Sequence, residues 1–226
     1  MERNEFAVKK GAIFDMDGLL LDTERIWQDT WQEIAAERGI RLKPGFAFAI
    51  SGTSGARACE VCSEYFQVDG KTGEEIFRQG LRVGSEHLKN TVPEIKEGAE
   101  AILARMKQGD VRIAVASSSP MDLIRLNLEK TGLLEWFDVI TSGAGLPHGK
   151  PAPDIFLKAA ELLKLAPQDC YVFEDSFNGV RAGHAAGCTT IMVPDLVQPD
   201  DEMKRTADAI FHTLKDAEEA IGRGEI

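Results

Sequence analysis

From about residue 90 onward, the hydrophobic positions of the chain switch repeatedly between two periods. Short apolar, β-type runs occur at "VRIAVASSS" (111–119), "FDVITSG" (137–143), "CYVFEDS" (170–176) and "CTTIMVP" (188–194), with a weaker "AIFHT" at 209–213. Between them Ala99, Ile102, Leu103 and Met106 recur at i, i+3, i+4 and i+7, and Ile155, Ala159, Leu162 and Leu163 also fall at helical spacing. Strands that alternate with helices predict an α/β fold: a doubly wound, Rossmann-like parallel sheet covered by helices on both faces. A further strand is predicted at Ile13 and Phe14, running directly into Asp15.

Residues 25–89 break this rhythm. Helical patterns cover 25–38, 54–67 and 71–89, with "KPGFAFAISGTSG" between the first two and no convincing strand. An all-helical cap at 25–89, inserted into an α/β core of residues 1–24 and 90–226, is the simplest organisation, with crossings near Asp22–Glu24 and Asn90–Pro93. The closing "DAEEAIGRGEI" reads as a last helix that frays into solvent. Glycines 179, 183 and 187 are one helical turn apart and predict a helix packed closely on the sheet.

Composition narrows the function classes. The chain has 226 residues, of which 43% are apolar and 28% charged, as in a soluble globular protein. A net charge of −11 argues against a nucleic-acid polymer or an anionic membrane as partner, since both require clustered Lys and Arg. No window approaches a membrane span and no signal segment is legible, so a cytoplasmic, monomeric protein is expected. Cys59 and Cys62 form a C-x-x-C pair inside an amphipathic helix, with no second pair nearby; ordinary buried thiols are the reading.

In a doubly wound sheet, ligands bind beyond the carboxyl ends of the strands. Those ends carry Asp15 and Asp17, then Ser117 to Ser119, then Glu174 and Asp175. So many carboxylates in one cleft need a cation, and hard oxygen donors suit Mg²⁺. A calcium loop beginning at "DMDG" fails, because its fifth and twelfth positions would be Leu19 and Ile26. Magnesium held by few carboxylates retains room for water and phosphate. Ser117 and Ser118 precede a helix N-terminus, and Lys150 in "HGKPAPDIF" adds a positive charge, so a phosphate fits the same cleft.

The four segments "DMDGLLLDTE", "ASSS", "GKPAPDIF" and "FEDSFNG" together resemble the four motifs of the haloacid dehalogenase superfamily, in order and over nearly the whole chain. The nearest likeness is to the β-phosphoglucomutase-like subfamily of small metabolite phosphatases with a helical cap. The resemblance implies a Mg²⁺-dependent phosphatase for a small phosphorylated metabolite, a sugar, polyol or nucleotide phosphate. It implies Asp15 as the nucleophile that takes the phosphoryl group and Asp17 as general acid and base. It also implies Mg²⁺ at Asp15, the Asp17 carbonyl and Asp175 with Glu174 nearby, and a phosphoryl group held by Ser117 and Lys150. Ser118, Thr23, Gly52 and Trp27 are the further substrate contacts it suggests. A mutase resembling β-phosphoglucomutase would carry His and Arg where this chain has Trp27 and Gly55, which favours hydrolysis over isomerisation. A non-catalytic phosphometabolite-binding protein would have to keep four intact motifs idle.

Overall fold

The computed structural model describes residues 9–226. The first strand, β1 (Gly11–Phe14), is buried along its whole length. Four helices follow: α1 (Glu24–Glu37), α2 (Phe46–Ile50), α3 (Gly55–Phe66) and α4 (Gly70–Asn90). The chain then alternates through α5 (Ala99–Gln108), β2 (Arg112–Ser117), α6 (Met121–Lys130), β3 (Val139–Ser142), α7 (Asp154–Leu163), β4 (Cys170–Glu174), α8 (Phe177–Ala186) and β5 (Thr189–Met192). It closes with the short α9 (Met203–Thr206), β6 (Ala209–Ile210) and α10 (Leu214–Arg223). All pairings are parallel and the strand order is β3-β2-β1-β4-β5-β6. This is the doubly wound order, with its switch point between β1 and β4.

Period-two alternation sorts the strand residues between two cores. Ala12 and Phe14, with Ile113, Val115, Tyr171 and Phe173, meet α5, α6 and α10 on one face. Ile13, Ala114, Ala116 and Val172 meet α7 and α8 on the other. Parallel register sets Phe14 beside Phe173, and their rings stack at 4.5 Å. A third apolar cluster, including Trp31, Ile34, Phe46, Val61, Phe66 and Ile76, lies wholly within α1–α4, so the inserted helices have a core of their own. Among the described residues no helix is long and apolar enough to cross a membrane.

Three local expectations change. The tail is tied down instead of frayed: α10 opens on a capping box at Thr213 and Asp216 and ends at Gly224. Beyond it, Tyr171 donates its hydroxyl to the Ile226 carbonyl at 3.2 Å, and Ile226 packs on the first core. In α7, Leu162 faces solvent, while Phe156 and Ala160 join Ile155, Ala159 and Leu163 inside. "FAFAI" forms α2, too short to show a helical period. The cysteines are all free, and burial pushes the Cys62 and Cys188 thiols up to about 12, which leaves them inert as nucleophiles.

Both outer strands are anchored by the same device. Asp138, just before β3, exchanges two hydrogen bonds with Ile113: its N–H donates to the Ile113 carbonyl at 2.8 Å and its carboxylate accepts the Ile113 N–H at 2.7 Å. Asp208, before β6, does the same with Thr190. Burial alone would raise the Asp138 pKa, but the Ile113 N–H and Lys107 outweigh it and hold the carboxyl below its ordinary value. A depressed folded-state pKa contributes stability that is present above the unfolded value and is lost as pH falls through the folded one. Asp138→Ala should therefore cost about 1 kcal/mol at neutral pH, and urea titrations should show the deficit against the native chain shrinking below about pH 4.

Candidate active site

β1 and β4 are neighbours in register, so the residues that follow them emerge side by side at the switch point. The Asp15 N–H still donates to the Phe173 carbonyl, which extends the ladder by one residue and fixes the start of its side chain. Between Asp15 and Glu174 sits the Lys150 ammonium. It donates to Asp15 Oδ1 at 2.5 Å and to Glu174 Oε1, with the Phe156 ring face 5.1 Å away. Lys150 is 1% exposed, Asp15 5% and Glu174 0%, so the triad is shut off from water. Burial would drive a proton off the lysine, but the two carboxylates outweigh it and hold its pKa above the usual lysine value.

Both oxygens of Glu174 already accept hydrogen bonds. Its Oε2 accepts the Asp175 and Ser176 N–H groups and the Ser176 hydroxyl, each at 3.0 Å. Ser176 in turn caps α8 through the Gly179 N–H. Gly179 is required there, because a Cβ would lie 1.8 Å from the Glu174 carboxyl carbon. A Cβ at Gly183 would lie 2.8 Å from the Thr190 hydroxyl and 2.9 Å from Val172, whereas Gly187 serves as the cap that ends α8.

Asp17 is held by hydroxyls alone. Thr23 donates to Oδ1 at 2.7 Å, and Ser117 and Ser119 donate to Oδ2 at 2.8 and 2.9 Å. Ser117 and Thr23, expected at the substrate, thus position Asp17, and the Ser119 N–H secures the Ser117 oxygen at 3.0 Å. Ser118 donates to the Gly52 carbonyl at 2.9 Å, which draws the loop before α3 down over the strand ends. Gly52 itself approaches α8 so closely that a Cβ would lie 2.5 Å from the Ser176 hydroxyl. Trp27 lines the cavity that this closure leaves, about 560 Å³ between the strand ends and the inserted helices.

Two further acidic groups lie near the site, Glu24 at the end of the first motif segment and Asp195. Glu24 is buried beside it, and Asp195 has a buried oxygen without a partner while its other oxygen takes Lys96. Burial, with Asp17, Asp195 and Asp15 adding repulsion, pushes Glu24 up to about 8. Burial likewise pushes Asp15 up to about 8, opposed by Lys150 and reinforced by Glu174 and Asp17. Asp175 is raised well above its ordinary value by burial and by the neighbouring carboxylates, Glu174 foremost. Among the described residues no three Asp, Glu, His or Cys side chains form a ready metal cage. Asp15, Asp17, Glu24, Glu60 and Asp175 all line the cavity, a surplus of negative charge, and of these Asp15 and Asp175 follow the neighbouring strands β1 and β4. A donor set of two carboxylates, with the remaining places open, fits a hard dication that keeps its waters.

A model of the haloacid dehalogenase-like hydrolases matches residues 9–187. The chain belongs to that family. It is 31% identical over 187 residues to the phosphorylated carbohydrates phosphatase of Thermotoga maritima, spanning 80% of this chain and 83% of that one. With hexitol phosphatase B of Escherichia coli it shares 29% identity over 206 residues, 90% and 91% of the two chains. The crystal structure of β-phosphoglucomutase from Clostridium difficile superposes with a TM-score of 0.79 over 96% of each chain at 22% identity, a likeness of fold. With curated phosphatases among its relatives, this family member is a phosphoric monoester hydrolase.

The triad makes a stability prediction separate from activity. Lys150→Met leaves two buried carboxylates unpaired and should cost about 3–5 kcal/mol, read from urea midpoints. Gly179→Ala should also destabilise, because its methyl group displaces Glu174. A Lys150→Met chain as stable as the native one would show that the three charges are not coupled.

Proposed function

We propose that the chain hydrolyses the phosphate ester of a small phosphorylated metabolite in two steps, through an aspartyl phosphate on Asp15, with Mg²⁺ as cofactor. The observation that carries this reading is the contrast between two aspartates two residues apart. Asp15 is fixed by a buried cation, while Asp17 is held only by neutral hydroxyls at the edge of the same cavity. One is built to attack and the other to exchange a proton.

In the first step the free oxygen of Asp15 attacks phosphorus, the bond from phosphorus to the ester oxygen breaks, and the leaving oxygen takes the proton from Asp17. In the second, Asp17 takes a proton from water as the water oxygen attacks the same phosphorus, and the bond to Asp15 breaks to release inorganic phosphate. Lys150 keeps Asp15 in place and offsets its charge, so the carboxylate is oriented before substrate arrives. Thr23, Ser117 and Ser119 hold Asp17 facing the leaving oxygen. Mg²⁺, held by Asp15, Asp175 and the Asp17 carbonyl, would supply the positive charge that lets a phosphate dianion enter a carboxylate-lined cleft. Residues 25–89 act as the cap, and the Ser118 to Gly52 contact belongs to the closed state, which excludes bulk water.

Water is the acceptor in this reading because the cap offers little grip on a second phosphate. Arg57 lines the cavity, but its guanidinium is paired with Glu60 at 3.1 Å, and Trp27 and Gly55 add no charge.

Three experiments test these assignments. Chelation with EDTA should abolish phosphate release and added Mg²⁺ restore it, and Asp15→Asn should remove turnover with metal present. Asp17→Asn should slow alkyl phosphates by about 10²–10⁴-fold and p-nitrophenyl phosphate far less, since that leaving group needs no proton. Equal losses on both substrates would contradict the acid role.

A further inference from the structure

The cavity is not chemically uniform. Near Asp15 it is polar, walled by Asp17, Ser118, Ser119 and the loop 51–54. Away from it, the wall between α1 and α4 is apolar and largely aromatic: Trp27 and Trp31 from α1, Phe77 and Leu81 from α4. Each pair is four residues apart and so presents one helix face.

The two indoles lie on α4 through two missing side chains. A Cβ at Gly80 would fall 2.0 Å from Cη2 of Trp31, and one at Gly84 would fall 2.2 Å from Cζ3 of Trp27. Two rings, four residues apart on one helix, thus press into two glycine gaps four residues apart on the other. Phe77 stacks near Trp31 with the rings 9° from parallel and their centres 6.5 Å apart. Trp31 is buried by this packing, while Trp27 keeps part of its ring towards the cavity. The result is a rigid apolar surface whose rotamers are fixed from behind. Arg57 and Glu60, which also line the cavity, supply a donor and an acceptor side by side.

An acyclic polyol carries about one hydroxyl per carbon, and a hydroxyl pressed on this wall in a closed site would lack a partner, at a cost of about 1–3 kcal/mol each. A planar unsaturated ring has no such cost on its faces and gains from stacking on indole. Its polar edge would meet Arg57 and Glu60, and a hydroxylated spacer would suit the polar half of the cavity beside the phosphate. We infer that the preferred substrate is a monophosphate whose leaving group joins a short hydroxylated spacer to a planar heterocycle, the chemistry of a nucleoside monophosphate, with Trp27 as the residue that selects the ring. This rests on the phosphatase reading above and narrows it to one substrate class.

The test measures kcat/KM with Mg²⁺ for a pyrimidine nucleoside 5′-monophosphate and for a hexitol phosphate, with acetyl phosphate as a ringless activated control. The expected result is a nucleotide-to-hexitol ratio of about ten or more, the scale of one aromatic stacking contact. Trp27→Ala should lower that ratio about tenfold and Trp27→Phe should recover most of it, whereas a merely structural tryptophan would lower both rates together. Gly84→Ala, which displaces the ring from behind, should lower the ratio in the same direction. A hexitol phosphate preferred by the native chain, or a ratio unmoved by Trp27→Ala, overturns the substrate class while acetyl phosphate turnover leaves the phosphatase reading standing. No phosphate from any of the three substrates overturns both.

Discussion

Three buried charges at the junction of β1 and β4 set the terms for the rest of the site. Asp15 and Glu174 leave adjacent parallel strands at nearly the same level, and neither can remain ionised out of water without the single ammonium of Lys150 between them. Lys150 reaches that point from the loop before α7, which packs on the opposite side of the sheet from α5 and α10. The hydrogen bonds that complete Glu174 come from the turn into α8, and the closeness of that turn excludes any side chain at Gly179. Strand pairing, two helix starts and one glycine are thus tied to one electrostatic requirement. Packing an apolar trio in the same space would serve stability as well. The charges are explained by what they do to Asp15: they fix its orientation.

The carboxylates at this end of the sheet are numerous but not equivalent. Glu174 is consumed by Lys150 and backbone N–H groups, and Asp17 by three hydroxyls that orient it and carry no charge. Asp15, Asp175 and Glu24 remain as a surplus that burial and mutual repulsion push towards protonation. Such a cleft repels a phosphate dianion as it stands. The dication proposed above would reverse the sign of that field, so the raised carboxylates and the proposed cofactor are two views of one charge imbalance.

The alternation of β-type and helical periods made the sheet and its covering helices legible, because strands buried on both faces leave unbroken apolar runs such as "IAVA" at 113–116. The chemical types at the strand ends pointed to the cleft for the same reason: carboxylates placed directly after apolar strands have few places to go. What the sequence did not disclose was which oxygen faces which partner. Glu174 reads as one more acid, and only Lys150 and the turn into α8 show which groups hold its two oxygens. Ser117 and Ser118 read as phosphate contacts, yet the Ser117 hydroxyl turns to Asp17 and that of Ser118 to the Gly52 carbonyl, a choice set by three-dimensional distance and not by spacing. Glu24 carries no periodic signal, since its burial depends on the inserted helices. α2 and the anchored tail were missed for a related reason: five residues and a terminal Ile226 are too short to show a period, and tertiary contact decides them.

The contacts between the inserted helices and the sheet differ in kind at their two ends. Where the chain crosses, the two connecting segments pair with each other: Asp22 donates its N–H to the Glu94 carbonyl and Lys96 donates to that of Leu20. Beside them the Lys130 ammonium, from α6, donates to the carbonyls of Leu88, Lys89 and Thr91 and so satisfies the end of α4. At the other end, over the strand termini, the loop 51–54 is held by Ser118 to Gly52, Asn178 to Ser51 and a longer Ser51 to Glu24 contact. These involve neutral donors, each worth about 1 kcal/mol net and replaceable by water. A charged lysine on three carbonyls is the stronger tie. In the proposed cap motion, the cheaper break would therefore be at loop 51–54, with the paired connections as the pivot. Such an opening would uncover Asp15 and Asp17 while the aromatic wall between α1 and α4, carried on the inserted helices, would stay intact.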